Sequence, residues 1–248
     1  HSRTDLALRR YRFLLQFAIP YWTRTDERTT QIHYILDKVL RKDIMSSRKF
    51  LALQPTPVIP IAQRLRMTAE DDNRMSLDDV FRKVCDESGQ PFDAVSQSFH
   101  NEIVNELEAK NFRELGREEK AKLEVSLKLK AYDRICSTMV DSSMLLDFIR
   151  STLGDAERVF HFRRSFAGQL AISSMLQHAF CVAERTPSRI VFNERTGQVF
   201  APDFRFSYNN QGFLDEQRVP FRLTRNLREL IGSIFEAGRF VPAMATFA

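Results

Sequence analysis

No glycine occurs in the first 88 residues of this chain, and only 8 are found among all 248. That is about half the usual share. Glycine supplies the left-handed and close-approach backbone that phosphate-cradling loops require. The first third therefore cannot hold a P-loop, a dinucleotide fingerprint or a kinase-type Gly-rich loop. A chain so poor in turn residues, with 43% hydrophobic and 28% charged residues, is expected to bury a real core and to be rich in helix. The length allows one or two domains.

The charge balance excludes little. Lys and Arg number 37 against 32 Asp and Glu, a net charge of +5, spread along the chain. The densest stretch, residues 117–130, interleaves Lys120, Lys122, Lys128 and Lys130 with Glu118, Glu119 and Glu124. It reads as a solvated helix laced by i,i+4 pairs rather than a nucleic-acid stripe. Cys85, Cys136 and Cys181 are odd in number and far apart, so no disulfide framework is expected, which suits a reducing compartment. Residues 1–12 are charged and irregular, unlike a signal peptide. The uncharged run at 166–183 carries Gln169, Ser173, Ser174, Gln177 and His178 and predicts a buried core helix rather than a membrane span. Beginning without Met and stopping at Phe247-Ala248, the chain reads as a piece of something larger.

Along the chain, residues 11–19 predict a strand bounded by Pro20, and a helix follows from Asp26 through Leu40, acidic at its start and basic at its end. Two proline-punctuated pieces, 50–53 and 58–61, suit short strands. Ser76-Leu77-Asp78-Asp79 is a capping-box start for a helix that Gly89 ends. Val95, Phe99, Ile103 and Leu107 mark another helix, and Leu123, Leu127, Ala131 and Ile135 the next. Ser143 is expected to cap 144–153, with Gly154 beyond it, and Asp155 to open a long helix to about Glu184. A hairpin is expected with arms 189–193 and 198–201. No internal repeat is visible. The expected architecture is α+β: a small mixed region at 1–67, then a mostly helical one at 68–248.

Chemistry-bearing motifs are scarce. His178 and Cys181 share a helix face, but two ligands do not make a zinc site. There is no G-x-S-x-G, and no cysteine has a convincing histidine partner near it in sequence. Asp71-Asp72 and Asp78-Asp79 read as loop and helix-start acids rather than a metal cluster.

The stretch after the long helix differs. Arg185-Thr186-Pro187-Ser188-Arg189 precedes the hairpin, Asp203-Phe204-Arg205-Phe206 follows it, and Val219-Pro220-Phe221-Arg222-Leu223-Thr224 comes later. Upstream lie Tyr11-Arg12-Phe13-Leu14-Leu15-Gln16 and Thr25-Asp26-Glu27-Arg28. In this order the pieces resemble the phosphatidylinositol-3-kinase-related protein kinases over nearly the whole chain. Active members carry Asp-Arg-His-x-x-Asn in the catalytic loop and Asp-Phe-Gly after the hairpin. The resemblance therefore implies a bilobal protein-kinase-like fold, with a partial small mixed N-lobe at 1–67 and a mostly helical C-lobe at 68–248, incomplete at its C-terminus.

The departures from that pattern carry the functional expectation. Phosphoryl transfer needs a lysine on the phosphates, two metal-ligand oxygens and a carboxylate facing the substrate hydroxyl. By alignment Gln16 takes the lysine position, Glu184 the catalytic Asp, Thr186 the His, Arg189 the metal-binding Asn and Arg205 the glycine of Asp-Phe-Gly. Asp203 alone keeps its identity. Arg189 has no acceptor atom and brings positive charge to a metal position. These six residues read as markers of lost chemistry, with no catalytic, cofactor-binding or metal role and no cofactor.

Within the family, the loop 185–189, the Asp-Phe-Arg-Phe run, Val-Pro-Phe-Arg-Leu-Thr followed by Asn226, and Phe162-Arg163-Arg164-Ser165-Phe166 resemble the pseudokinase branch of transformation/transcription domain-associated proteins. That resemblance implies a very large nuclear scaffold of histone-acetyltransferase coactivator complexes such as SAGA. Its partners are the other complex subunits, and transcription activators through parts outside this chain. No membrane and no direct specific nucleic-acid binding is expected. Two other readings stand beside it. One is an atypical active Ser/Thr kinase using Glu184 as base and Asp203 for a single metal. The other is a basic helical module for nucleic acid, resting on the +5 charge alone.

Overall fold

The computed structural model describes residues 12–17, 20–53, 58–109, 116–182, 185–201, 204, 206, 208–214 and 219–247. Strand β1 (Arg12–Phe17) leads into helix α1 (Pro20–Lys42), the short helix α2 (Ile44–Arg48) and strands β2 (Val58–Ala62), β3 (Leu65–Glu70) and β4 (Arg74–Ser76). Helices α3 (Leu77–Ser88), α4 (Ala94–Ala109), α5 (Arg117–Thr138), α6 (Met144–Leu153) and α7 (Ala156–Ala179) follow. A 3-10 turn (Pro187–Arg189), strand β5 (Val191–Asn193), helix α8 (Arg225–Phe235), a π-turn (Glu236–Phe240) and helix α9 (Val241–Phe247) complete the described chain.

The first sheet has the order β1-β3-β2, all antiparallel, with Gln16 opposite Arg66 and Phe13 opposite Ala69. Helix α1 packs on it through β2. Thr29, His33 and Leu40 are buried, and Ile32 and Leu36 add to the same helical face. The helix begins at Pro20, six residues ahead of the expected start, because proline's fixed φ suits a first helical turn. Its first turn consequently lacks an acid, while Arg41 and Lys42 close its last turn as expected.

The expected strand at 50–53 is not formed. Asp43 caps α2 by accepting the Ser46 N–H at 2.7 Å, and Phe50 then turns the chain at φ 51°. Leu51 and Leu53 drop into the core from irregular backbone. Strand β3 was not anticipated. It runs through the 67/68 division and keeps pairing with β1 as far as Glu70.

The helical region follows its sequence signals closely. Ser76 and Asp79 form the capping box of α3, and Gly89 ends it at φ 67°. Helices α4 and α5 form an antiparallel arm on which Glu102 meets Arg134 at 3.5 Å. The i,i+4 pair Glu124–Lys128 is made at 2.5 Å on an exposed face. Ser143 precedes α6 but does not cap it. Its backbone is already helical, and its hydroxyl donates to Asp147 at 2.6 Å while its N–H goes to Asp141.

Helix α7 forms the axis of the core. Phe162, Phe166, Leu170, Ile172 and Leu176 are buried, and Ala167, Gly168, Ala171, Ser173 and Ser174 are buried between them, so the helix is enclosed on nearly every side. Phe166 lies against Phe162 and meets Phe192 of β5 edge-on at 5.6 Å. The helix stops at Ala179, short of the expected Glu184. Phe180 caps it, Cys181 takes φ 48°, and Val182 bridges Phe206.

The hairpin forms, with the Asn193 N–H on Gln198 and the Phe200 N–H on Val191. Its first strand starts at Val191 because Arg189 belongs to the 3-10 turn that Pro187 opens. Strand β5 pairs instead with β4 as a second small sheet. Gly197, at φ 69°, lets the hairpin turn press on α7, where a Cβ would fall 2.4 Å from the Phe162 carbonyl oxygen. Gly232 breaks α8 at φ 71°. The carbonyls of Leu230 and Ile231 before the break accept the Arg163 guanidinium at 2.6 and 3.0 Å. Among the described residues no helix is long and apolar enough to cross a membrane.

Candidate functional site

A cleft of about 450 Å³ opens between the first sheet and the start of the helical region. Gln16 and Leu14 of β1, Arg66 and Thr68 of β3, Asp26 of α1 and Ser188 of the 3-10 turn are among the residues that line it. Gln16 and Arg66 are cross-strand partners, so the pleat places both side chains on one face of the sheet. Arg66 Nε donates to Gln16 Oε1 at 3.1 Å, and Nη1 donates to both Asp26 carboxylate oxygens at 3.3 and 3.1 Å. Both charged side chains are largely buried, at 21% and 12% exposure, so this ion pair is well shielded from solvent.

Two of the remaining cleft acids are already committed. Asp71 accepts the Asn73 N–H at 3.0 Å and the Asn193 side-chain amide at 2.8 Å, tying the β3–β4 connection to the hairpin. Asp79 accepts the N–H and the hydroxyl of Ser76 at 2.9 and 2.7 Å. Burial pushes its carboxyl up, but the two Ser76 bonds, with Arg82 and Lys83 nearby, bring it below the ordinary Asp range. The lining includes Asp26, Glu70, Asp71 and Asp79 against Arg66 and Arg74, an acidic balance of two charges.

A kinase-type fold implies a metal-bound nucleotide, and three of the four acids described in the cleft are already engaged. Asp26 spends both oxygens on a guanidinium, and Asp71 and Asp79 are held in turn and cap bonds. No group of three or more His, Cys, Asp or Glu among the described residues could hold a metal ion.

The structure brings Gln16 into the cleft but separates it from the other described candidates. Thr186 is exposed, with its hydroxyl 2.9 Å from that of Ser188. Arg189 is half-buried at the end of the 3-10 turn, where its N–H donates to the Thr186 carbonyl at 2.9 Å. Neither lines the cleft. Glu184, Asp203 and Arg205 lie outside the described residues.

Phe204, between the last two, is 1% exposed. Its N–H donates to Thr29 Oγ1 at 3.3 Å, and its ring meets Phe180 at 4.8 Å and His33 at 5.1 Å. Helix α1 thereby holds this segment from above. The pivotal residue that sequence reasoning missed is Arg66. Its only signal would have been the pairing of β3 with β1, across 50 positions.

A second cavity, an apolar groove of about 640 Å³, lies between α3, α4 and α5. Phe81, Phe92, Phe99 and Ile135 are in its lining, and Arg185, Arg222 and Arg225 border it. Arg185 donates to the carbonyls of Val182 at 3.2 Å, Gln177 at 3.3 Å and Val219, locking the end of α7 to the 219–224 segment. Arg225 likewise bonds the carbonyls of Cys136 and Val140 at the end of α5.

Comparison with known proteins accounts for this architecture. Residues 21–247 match the family described as phosphatidylinositol 3- and 4-kinase. The chain is 26% identical over 210 residues to Transcription-associated protein 1 of Drosophila melanogaster, covering 84% of this chain and 5% of that protein. It is 23% identical over 244 residues to the SAGA complex/NuA4 acetyltransferase complex subunit Tra1 of Schizosaccharomyces pombe, covering 95% and 7%. With Transformation/transcription domain-associated protein of Mus musculus it shares 24% identity over 228 residues, 91% of this chain and 8% of that protein. The chain thus spans less than a tenth of the length of these relatives. Among solved structures, the FAT and kinase domain of CtTel1 superposes with a TM-score of 0.67 at 18% identity, over 96% of this chain and 16% of that one. The expected kinase-like fold is observed, and the resemblance to the transformation/transcription domain-associated branch extends over most of the chain. The chain belongs to the phosphatidylinositol 3- and 4-kinase family.

Proposed function

We propose that this chain is a catalytically inactive kinase-like module within a large scaffold subunit of a SAGA-type histone-acetyltransferase coactivator complex. In this reading it acts in the nucleus. It packs against other subunits of the complex, and transcription activators are received by parts of the protein outside this chain. Residues 1–67 are the partial small lobe and 68–248 the large one, with β3 carrying the small lobe's sheet on to Glu70. The relatives named above support the assembly, since the Schizosaccharomyces pombe one is a SAGA and NuA4 complex subunit.

The observation that carries the inactive reading is the Arg66–Asp26–Gln16 network. It leaves the uncharged Gln16 at the position read as the phosphate-facing lysine and holds the neighbouring Arg66 guanidinium on Gln16 and Asp26. Gln16, Glu184, Thr186, Arg189, Asp203 and Arg205 are read as the degenerate counterparts of kinase positions, with Arg189 adding positive charge beside a metal-ligand position.

The test is a MgATP titration followed by thermal melting, together with an assay of phosphate transfer. No change in melting temperature and no transfer are expected. A saturable, Mg²⁺-dependent rise with transfer that Glu184→Ala abolishes would overturn the inactive reading in favour of an atypical kinase. The assembly is tested separately. The intact protein purified from its own cells is expected to bring histone-acetyltransferase activity with it, and purification without that activity would sink the scaffold reading.

A further inference from the structure

The segment between α7 and β5 carries a feature that the kinase comparison does not use. Thr186 is exposed, has extended backbone (φ −78°, ψ 157°) and is followed directly by Pro187. Extended backbone at an exposed hydroxyl is the form in which protein kinases accept a substrate strand, and a following proline is what proline-directed kinases select. Among the described residues the hydroxyl's partner is another hydroxyl, that of Ser188 at 2.9 Å.

Two guanidinia lie near this segment. Arg222 Nη1 donates at 3.3 Å to the carbonyl oxygen of Arg185, which belongs to the peptide unit carrying the Thr186 nitrogen. The Arg185 guanidinium is turned back onto the carbonyls of Val182, Gln177 and Val219. Among the described residues neither Arg185 nor Arg222 forms an ion pair with a carboxylate. The crowding is felt at Arg185, whose pKa is pushed down first by burial and then by Arg222.

We propose that Thr186 is a phosphorylation site for a proline-directed Ser/Thr kinase, and that Arg222, with Arg185 beside it, receives the phosphate. In the transfer the Thr186 Oγ1 forms a bond to the γ-phosphorus of ATP. The bond from that phosphorus to the β,γ-bridging oxygen breaks, ADP leaves with the electron pair, and the hydroxyl proton passes to the base of the modifying kinase. The product adds nearly two negative charges and strong acceptor oxygens close to Arg222 and Arg185, which pair with no carboxylate among the described residues. It would tie the 185–190 loop to the 219–224 segment more firmly than the carbonyl bonds do now.

Ser188 is the competing hydroxyl, because Arg185 lies three residues before it in the pattern that basophilic kinases read. That reading needs the Arg185 guanidinium free to enter another enzyme, whereas here it holds three carbonyl oxygens. The proline-directed site needs no arginine to enter the modifying enzyme.

The experiment uses the intact protein, incubated with MgATP and a purified proline-directed kinase, and also isolated from its own cells under phosphatase inhibition. Cleavage after glutamate gives the peptide 185–194, in which Thr186 and Ser188 are the only hydroxyl side chains. Phosphate on Thr186 is expected in both samples, retained in Thr186→Ser and lost in Thr186→Ala. Phosphate on Ser188 alone, or an unmodified peptide in both samples, overturns the assignment. Phosphorylation should raise the melting temperature of the wild type by about 2–4 °C. Arg222→Gln should remove at least half of that rise, and an equal rise in the variant overturns the receiving role of the arginines. Neither outcome depends on whether the cleft binds nucleotide.

Discussion

The β1–β3–β2 sheet with α1, and the helical body around α7, treat their apolar residues in opposite ways. Around α7 five phenylalanines turn inward, and Phe162, Phe166, Phe192, Phe204 and Phe240 are all 2% exposed or less, while Phe160 is 51% exposed. The small region contributes only Leu40, Leu51 and Leu53 to the described buried core. On β1, by contrast, Leu15 is 64% and Phe17 92% exposed, and Tyr34, Ile35 and Val39 leave an apolar stripe on the outer face of α1. A three-stranded sheet with one helix offers too little inner surface to hide them. Polar bonds hold much of the small region instead. Arg66–Asp26 joins β3 to α1, and Lys49 Nζ reaches the Pro242 carbonyl at 2.9 Å and the Thr246 hydroxyl on α9. The lesson is that one lobe is held by burial and the other by a few directional contacts, which should fail differently.

The sharpest way to test this contrast is Phe166→Ala. The ring is fully buried against Phe162 and Phe192, and its loss should cost about 3–5 kcal/mol, read as a lower midpoint in denaturant for the whole chain. Next is Asp26→Ala, which leaves Arg66 without its carboxylate and should cost about 1.5–3 kcal/mol. Its effect should be local. Hydrogen exchange is expected to speed up at the β1 and β3 amides while α7 keeps its protection. Equal loss in both regions would show that the two are one cooperative unit and break the contrast.

Smaller is the effect of Ser76→Ala, which removes the hydroxyl that caps α3 and bonds Asp79, for about 0.5–2 kcal/mol. The Asp79 carboxyl lies below its unfolded range, so its contribution is complete above about pH 4 and is lost as pH falls through the folded value. The variant should therefore be less acid-sensitive than the wild type, measured by melting between neutral pH and about pH 3. Asp43 is lowered in the same direction, chiefly by the Ser46 N–H, and would persist as a shared background in both proteins. Smallest of all, Glu124→Ala removes an exposed i,i+4 pair on α5 and should change stability by no more than about 0.5 kcal/mol. A larger effect there would mean that the outer arm is stabilised by charge rather than by the packing of Leu127, Ala131 and Ile135.

Those residues also mark how far the sequence could be read. The capping box at Ser76, the left-handed glycines at 89 and 154 and the buried run of α7 rest on neighbours within one or two helical turns, and each formed where its pattern lay. Where a boundary moved, a local rule lost to a competing one. Pro20 opened α1 rather than closing the strand, and Cys181 ended α7 early by turning so that Val182 could bridge Phe206.

The cleft was legible only in half. Gln16 could be singled out as a substituted position, yet what stands beside it could not. Arg66 faces Gln16 because of strand register, and Asp26 joins them because α1 crosses the sheet; neither relation has a short-range signal. The pairing of β4 with β5, more than a hundred residues later, was hidden for the same reason. By itself the sequence determined the existence of helices α3 to α7, the capping box at Ser76 and the absence of a Gly-rich loop in the first third, since these depend on spacing and on backbone freedom. Only the tertiary structure decided which charges meet, because an ion pair across 40 residues exists only once the strands and the helix between them are packed.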